Sequence, residues 1–171
     1  MSFLDAQTGW TASTYILRTT SDAGARWTVM ALPPDMKGIA AIALRTADDG
    51  YVLDTAGHLF ITADGGRSWK VQSFGLKTGE KLLSSVGSPL AAIRFLDARH
   101  GMAVFDLEDK SVWFAITADG GLHWQRAEIP ELRGRSLYYH LFLAQNGKLL
   151  TATDDFNNGK NNSLVFRYRQ P

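Results

Sequence analysis

The sequence predicts an all-β chain of four-stranded antiparallel sheets repeated radially, as in a β-propeller, and three observations predict it. An eight-residue turn pattern, Thr-x-Asp-x-Gly-x-x-Trp, recurs three times in fixed register. Short apolar runs of strand length alternate with tight-turn residues between the copies. Five Trp and sixteen Gly suit many short strands joined by tight turns, with large rings filling the space between layers.

The copies read Thr20-Ser21-Asp22-Ala23-Gly24-Ala25-Arg26-Trp27, Thr62-Ala63-Asp64-Gly65-Gly66-Arg67-Ser68-Trp69 and Thr117-Ala118-Asp119-Gly120-Gly121-Leu122-His123-Trp124. Their acids stand roughly 40 to 55 residues apart, the period of a propeller blade. A second landmark precedes two of them: Phe3-Leu4-Asp5-Ala6-Gln7-Thr8-Gly9-Trp10 and Phe95-Leu96-Asp97-Ala98-Arg99-His100-Gly101-Met102. The middle copy shows the whole unit. Ile39 to Thr46 is β-like, Asp48-Asp49-Gly50 turns, and Tyr51 to Asp54 is β-like. Ala56-Gly57 turns again, His58 to Thr62 is β-like, and Trp69 to Phe74 is the strand after the motif. Tyr15-Ile16-Leu17 and Val112 to Ile116 are strand-like runs in the outer two copies.

These spacings predict one propeller domain over residues 1–171, with blades at about 1–32, 38–74, 91–129 and 137–170. The last blade shows three strands: Tyr138 to Ala144, Leu149 to Thr153 and Ser163 to Arg169. An incomplete blade leaves an edge that closed rings cover. Three arrangements stay open: a larger ring with a missing N-terminal half, a homodimer of two copies, and a compact four-blade ring.

Composition excludes some functions. A net charge of +1 supplies no electrostatic reason for nucleic acid or an anionic membrane as partner. The chain has no cysteine, which removes disulfides, thiolate catalysis and Cys-based zinc sites. No stretch approaches the length of an apolar membrane span. The N-terminal residues carry no basic start and no apolar run, so no signal peptide is expected in this chain. His58, His100, His123 and His140 show no ligand spacing, so no metal or other cofactor is expected.

The motif is explained by hairpin formation. A carboxylate in a tight turn accepts backbone N–H bonds a few residues on, and the Thr hydroxyl bonds across the same turn. Glycine at the fifth position supplies backbone angles that a side chain resists. The tryptophan is expected to open the next strand and pack between blades. One Asp per turn offers too few oxygens for calcium. The structural residues are therefore Thr20, Asp22, Gly24 and Trp27; Thr62, Asp64, Gly66, Ser68 and Trp69; and Thr117, Asp119, Gly121 and Trp124. No residue is assigned a catalytic role.

The three motifs resemble the Asp-box of the BNR repeat family, Ser/Thr-x-Asp-x-Gly-x-Thr/Ser-Trp. The middle copy matches fully, the first departs at Arg26 and the last at His123. The Phe-Leu-Asp landmark looks like the photosystem II stability/assembly factor branch of that family. The resemblance implies a β-propeller, and for many relatives an exported, periplasmic or membrane-associated setting. It does not settle activity, because the family spans sialidases, other glycosidases, sorting receptors and assembly chaperones.

Strand alternation places the long segments on the blade face opposite the Asp-boxes. They are Met30 to Lys37, Gly75 to Leu90, Asp106 to Ser111, Ile129 to Ser136 and Asp154 to Asn162. Binding residues concentrate on loops held by a rigid scaffold, so that face is where a protein or carbohydrate partner is expected. Arg133, Arg135, Tyr138 and His140 are candidate contacts there. The Asp154 to Asn162 segment is oxygen-rich and could hold a cation, but a mobile solvated loop is the preferred reading. The leading functional reading is a non-catalytic binding scaffold. The alternative is a glycoside hydrolase, sialidase-like, or a fragment of one. That chemistry needs placed carboxylates or a Tyr–Glu pair with an arginine cluster. Glu80, Glu108, Glu128 and Glu131 follow no such pattern, and the arginine expected before Ile129-Pro130 is absent.

Overall fold

A computed structural model of the chain describes residues 1–73, 80, 82, 91–108, 112–127, 137–143, 149–155 and 162–167. Every regular element among them is a strand, and no helix there is long and apolar enough to cross a membrane. The fold class is all-β. Two compact units divide the chain, Met1–Lys81 and Leu82–Pro171.

The first unit holds two sheets. One is built from β1 (Ser2–Phe3), β2 (Gly9–Ser13), β3 (Ile16–Thr20) and β4 (Thr28–Val29), and the other from β5 (Ile39–Leu44), β6 (Gly50–Asp54), β7 (His58–Thr62) and β8 (Lys70–Ser73). Each sheet is an antiparallel meander with strands in chain order. Strand pairing sorts the first sheet into two faces. Ser2 pairs with Trp10 and Trp10 with Thr19, while Ala12 pairs with Leu17, so these side chains share one face. That face meets the second sheet, where Trp10, Leu17 and Met30 form a buried core with Ile39, Ile42, Leu44, Val52 and Phe60. Both β5 and β6 are buried along their whole length, as expected of strands covered on both faces.

The second unit holds a four-stranded sheet and a three-stranded one. The former comprises β9 (Ala91–Phe95), β10 (Gly101–Asp106), β11 (Val112–Thr117) and β12 (Gln125–Ala127), and the latter β13 (Leu137–Leu143), β14 (Leu149–Asp155) and β15 (Asn162–Arg167). Phe105 stacks flat on Trp113, with centroids 4.6 Å apart and planes 9° from parallel. Leu82 pairs across an isolated bridge to Leu107, and both are buried.

Several boundaries differ from expectation. Tyr15 lies in the β2–β3 turn rather than in a strand. The strand before Asp48 stops at Leu44, because the Arg45 and Thr46 N–H groups both turn back to the Asp49 carbonyl, at 2.9 and 3.2 Å. Each motif tryptophan ends its turn, one position before the strand it was expected to open. Asp106 belongs to β10, where it pairs with Val112. Asp154, Asp155 and Asn162 belong to strands, with Asp154 opposite Ser163 and Asp155 opposite Asn162. The oxygen-rich segment read as a loop is therefore shorter at both ends, and residues 156–161 lie outside the described residues.

Candidate functional site

The two ends of each sheet are built differently. At one end lie the three motif turns. Thr20 Oγ1 donates to Asp22 Oδ1 at 2.8 Å and accepts from Gly24 N at 3.0 Å, while Arg26 N donates to Asp22 Oδ1 at 2.9 Å. Thr62, Asp64, Gly66 and Ser68 repeat this at 2.8, 2.8 and 2.9 Å. So do Thr117, Asp119, Gly121 and His123 at 2.8, 2.9 and 3.0 Å. The fifth-position glycines have φ of +87°, +85° and +86°, where a Cβ is strained. Ser68 Oγ donates to the second Asp64 oxygen at 2.6 Å. His123 Nδ1 fills that place at Asp119, 2.7 Å from Oδ2, which explains how histidine stands where Ser or Thr is usual.

The fourth position of the motif also needs a left-handed backbone, which the sequence reading missed. Gly65 and Gly120 have φ of +70° and +74°, and Ala23 is held at +60°. Their N–H groups stitch the motif turn to the neighbouring β1–β2-type turn: Ala23 to the Gln7 carbonyl at 3.0 Å, Gly65 to Asp48 at 2.8 Å and Gly120 to Arg99 at 2.7 Å. Ala23→Gly is expected to stabilise the protein by up to about 1 kcal/mol, the excess of left-handed strain over glycine's added chain entropy. A higher urea midpoint at unchanged slope checks it.

The partner turns share one design. Asp5 Oδ1 accepts from Gln7 N and Thr8 N at 2.7 and 2.6 Å. Asp97 Oδ1 accepts from Arg99 N and His100 N at 2.7 and 2.8 Å. Thr46 Oγ1 does the same for Asp48 N and Asp49 N at 3.3 and 2.9 Å. The landmark read twice is thus present three times, with Thr46 in place of Asp. The glycine four residues further on, Gly9, Gly50 or Gly101, was the signal that could have found it.

All these carboxylates are held low. Hydrogen bonds from the Ser68 hydroxyl and N–H, then from Thr62, bring Asp64 to about 2. The His100 side chain and N–H bring Asp97 to about 2. At Asp119 the largest influence, desolvation, raises the pKa but is outweighed by donors from His123 and Thr117, leaving about 2. Asp22 lies below the usual range chiefly through the Arg26 N–H, and Asp5 through the Thr8 N–H. A depressed folded-state pKa contributes stability above the unfolded value of 3.8, and that stability is lost as pH falls through the folded value. Thermal stability is therefore expected to hold down to about pH 4 and to drop between there and pH 2. Ser68→Ala and His123→Ala should move the drop toward higher pH in a thermal-unfolding titration.

The opposite end is organised in the first unit by Asp54, which is fully buried. Its Oδ1 accepts from Ala56 N and His58 N at 2.9 and 2.8 Å, and its Oδ2 lies 3.3 Å from Lys37 N and 3.1 Å from His58 Nδ1. Thr55 Oγ1 donates to the Lys37 carbonyl at 2.9 Å, Thr55 N to Gly38 O at 3.0 Å, and Ile39 N to Thr14 O at 2.7 Å. The β2–β3 turn, the 37–39 connection and the β6–β7 turn are thereby tied into one rim. It presents Tyr15, 73% exposed, with exposed Lys37 and His58. An aromatic, an ammonium and an imidazole on a pinned backbone can stack, pair with a carboxylate and exchange hydrogen bonds. None of the three was singled out as a contact from the sequence, because the ties that gather them join segments far apart in the chain, Asp54 to Lys37 and Ile39 to Thr14.

Arg133 and Arg135 lie outside the described residues. Tyr138 and His140 stand two apart on β13, opposite Asp154 and Ala152. The structure does not bring these four together.

No protein-family model and no curated protein matches the chain. Solved structures do. A chain of YCF48 bound to a D1 peptide is similar at 20% identity and a TM-score of 0.60, over 96% of this chain and 52% of that one. YCF48 from Cyanidioschyzon merolae is similar at 18% and 0.59, over 90% and 44%. The GH74 enzyme of Niastella koreensis is similar at 12% and 0.61, over 97% and 27%. The chain thus spans about half the length of the YCF48 chains. At these identities the likeness shows the fold alone: the antiparallel meanders are β-propeller blades.

Proposed function

We propose that the chain is a non-catalytic β-propeller scaffold that holds a protein partner on the face opposite its Asp-box turns. One observation carries this reading. Every motif carboxylate is consumed by its own turn, accepting a side-chain hydroxyl and a backbone N–H. An acid held below the usual carboxylate range is a poor proton donor at neutral pH, whereas a glycosidase needs one whose pKa is raised. The opposite rim offers exposed Tyr15, Lys37 and His58 instead. YCF48, similar in fold, has been captured with a peptide, which supports an extended protein segment as the kind of ligand. The second reading, a glycoside hydrolase, has an enzyme of the same fold beside it.

Selection of a displayed random-peptide library on the purified chain tests the proposal. Peptides so obtained should lose at least tenfold in affinity to Tyr15→Ala combined with His58→Ala. They should be unaffected by Leu122→Ser, a change in the third Asp-box turn. Binding insensitive to the rim variants overturns the assigned face. Turnover of a fluorogenic sialoside or an aryl glycoside by the same preparation overturns the non-catalytic reading.

A further inference from the structure

Of the three sheets that carry the turn motif, only the second has an acid and an imidazole at its opposite end. Gly9, Gly50 and Gly101 pair with Thr20, Thr62 and Thr117, which sets the three sheets in register. In that register Asp54 stands where the other two have Ser13 and Phe105, and His58 where they have Ile16 and Trp113. Strand pairing is completed in those sheets without the pair, so the blade itself does not demand it. Asp54 is fully buried and accepts backbone N–H groups from Ala56, His58 and Lys37. An acceptor so placed takes the Nδ1–H of His58, at 3.1 Å, and leaves Nε2 as the nitrogen available to a ligand. Phe60 meets the same ring edge-on, with centroids 6.4 Å apart and planes at 84°. The His58 side chain is 50% exposed, and neither its Nε2 nor the Lys37 ammonium has a partner among the described residues. Both residues are anchored on one atom, Asp54 Oδ2, through Lys37 N and His58 Nδ1.

We infer that this rim binds a carboxylate of the partner segment between Lys37 and His58, and that protonation of His58 tightens the hold. The inference rests on the face assigned above and adds its ligand chemistry. With His58 neutral, Nε2 presents a lone pair that repels a carboxylate oxygen, and the buried Asp54 charge offsets that of Lys37. With His58 protonated, Nε2–H becomes a donor while Nδ1–H stays on Asp54, and the rim gains one positive charge. A carboxylate then accepts from an ammonium and an imidazolium, both charge-assisted bonds. Four segments adjoin the pair, and their described residues supply few other charges. The β2–β3 turn brings the Tyr15 phenol, the connection into β5 brings Lys37 and Asp35, and the β6–β7 turn brings Asp54. From β8, Ser73 stands opposite His58, and the strand's one charge, Lys70, lies at its other end opposite Ile61. Asp35 is exposed and makes no ion pair among the described residues, so water screens it. Tyr15 offers a ring on which the rest of the segment can stack.

The test is a magnetic-resonance titration of the nitrogen-15-labelled chain at about pH 8 and about pH 5.5, an interval in which an imidazole gains its proton. Two small probes carry carboxylates that are ionised at both values. N-acetylglutamate α-amide has a side-chain carboxylate, and N-acetylglycine a chain-terminal one. Resonances of Lys37, His58 and Tyr15 should move with at least one probe, and half-saturation should need about fivefold less of it at the lower pH. The probe that binds identifies which carboxylate the rim takes. His58→Gln should abolish the pH dependence, and Lys37→Gln should weaken binding at both values. A silent rim, equal affinity at the two pH values, or a pH dependence that survives His58→Gln overturns the inference. Should a variant fail to fold, the parent chain decides through the first two of these outcomes. The partner reading fails separately. Selected peptides that hold the rim without any carboxylate leave that reading standing and overturn this inference, whereas pH-dependent probe binding with no peptide selected does the reverse.

Discussion

Trp10→Ala is expected to cost about 3–5 kcal/mol, the range for emptying a buried tryptophan site. The indole is 1% exposed and its centroid lies 6.1 Å from that of Trp69, with planes tilted by 58°. It also fills the space above Gly50. A Cβ at Gly50 would stand 2.1 Å from Cη2 and 2.5 Å from Cζ3 of the ring. A flexible side chain could yield to such an atom, but a ring wedged between two sheets cannot. Gly50→Ala alone should therefore cost about 1–3 kcal/mol by overpacking. In the Trp10→Ala background the same substitution should be close to neutral, because its methyl enters the vacated volume. A double-mutant cycle in urea reads the coupling directly. Additive costs would show that Gly50 is required by its backbone and not by the ring.

This pair marks how far the sequence can be read. The hairpin design of Thr62, Asp64 and Gly66 was legible because it is local. Hydroxyl, carboxylate and glycine act within five residues, and their spacing is their mechanism. Strand order followed from the same turns. Gly50 was read as a turn glycine, yet it opens β6 with no positive φ. What demands glycine there is a ring arriving from another sheet, and no local pattern reports that. Gly9 and Gly101 also face rings, but from the paired strand of their own sheet: a Cβ on either would meet the Phe3 or Phe95 ring at 2.5 and 2.8 Å. The rim of Tyr15, Lys37 and His58 was hidden because its ties join segments far apart in the chain. Asp54 ties it together from inside, across 17 residues to Lys37, and in sequence Asp54 is one strand-end acid among several.

The second large effect is expected at the motif threonines. Thr62 is 1% exposed, and its hydroxyl performs three tasks. It accepts from Gly66 N at 2.8 Å and Asp64 N at 3.3 Å, and it donates to Asp64 Oδ1 at 2.8 Å. Thr62→Val keeps the shape and β-branching but removes all three bonds. The Gly66 N–H is then left in a buried place without its acceptor, and the Asp64 carboxylate loses one of its donors. A stranded buried donor costs about 1–3 kcal/mol, so a loss of about 2 kcal/mol is expected at Thr62. Thr62→Ser retains the oxygen and should recover most of it. Thr117→Val should behave alike, since Gly121 N reaches Thr117 Oγ1 at 2.9 Å. The same substitution removes a donor that holds Asp64 low, so the acid drop in stability should also move toward higher pH. A merely apolar role for the threonine would leave the valine variant as stable as the parent and its pH profile unshifted. Urea unfolding at neutral pH and near pH 3 separates the two.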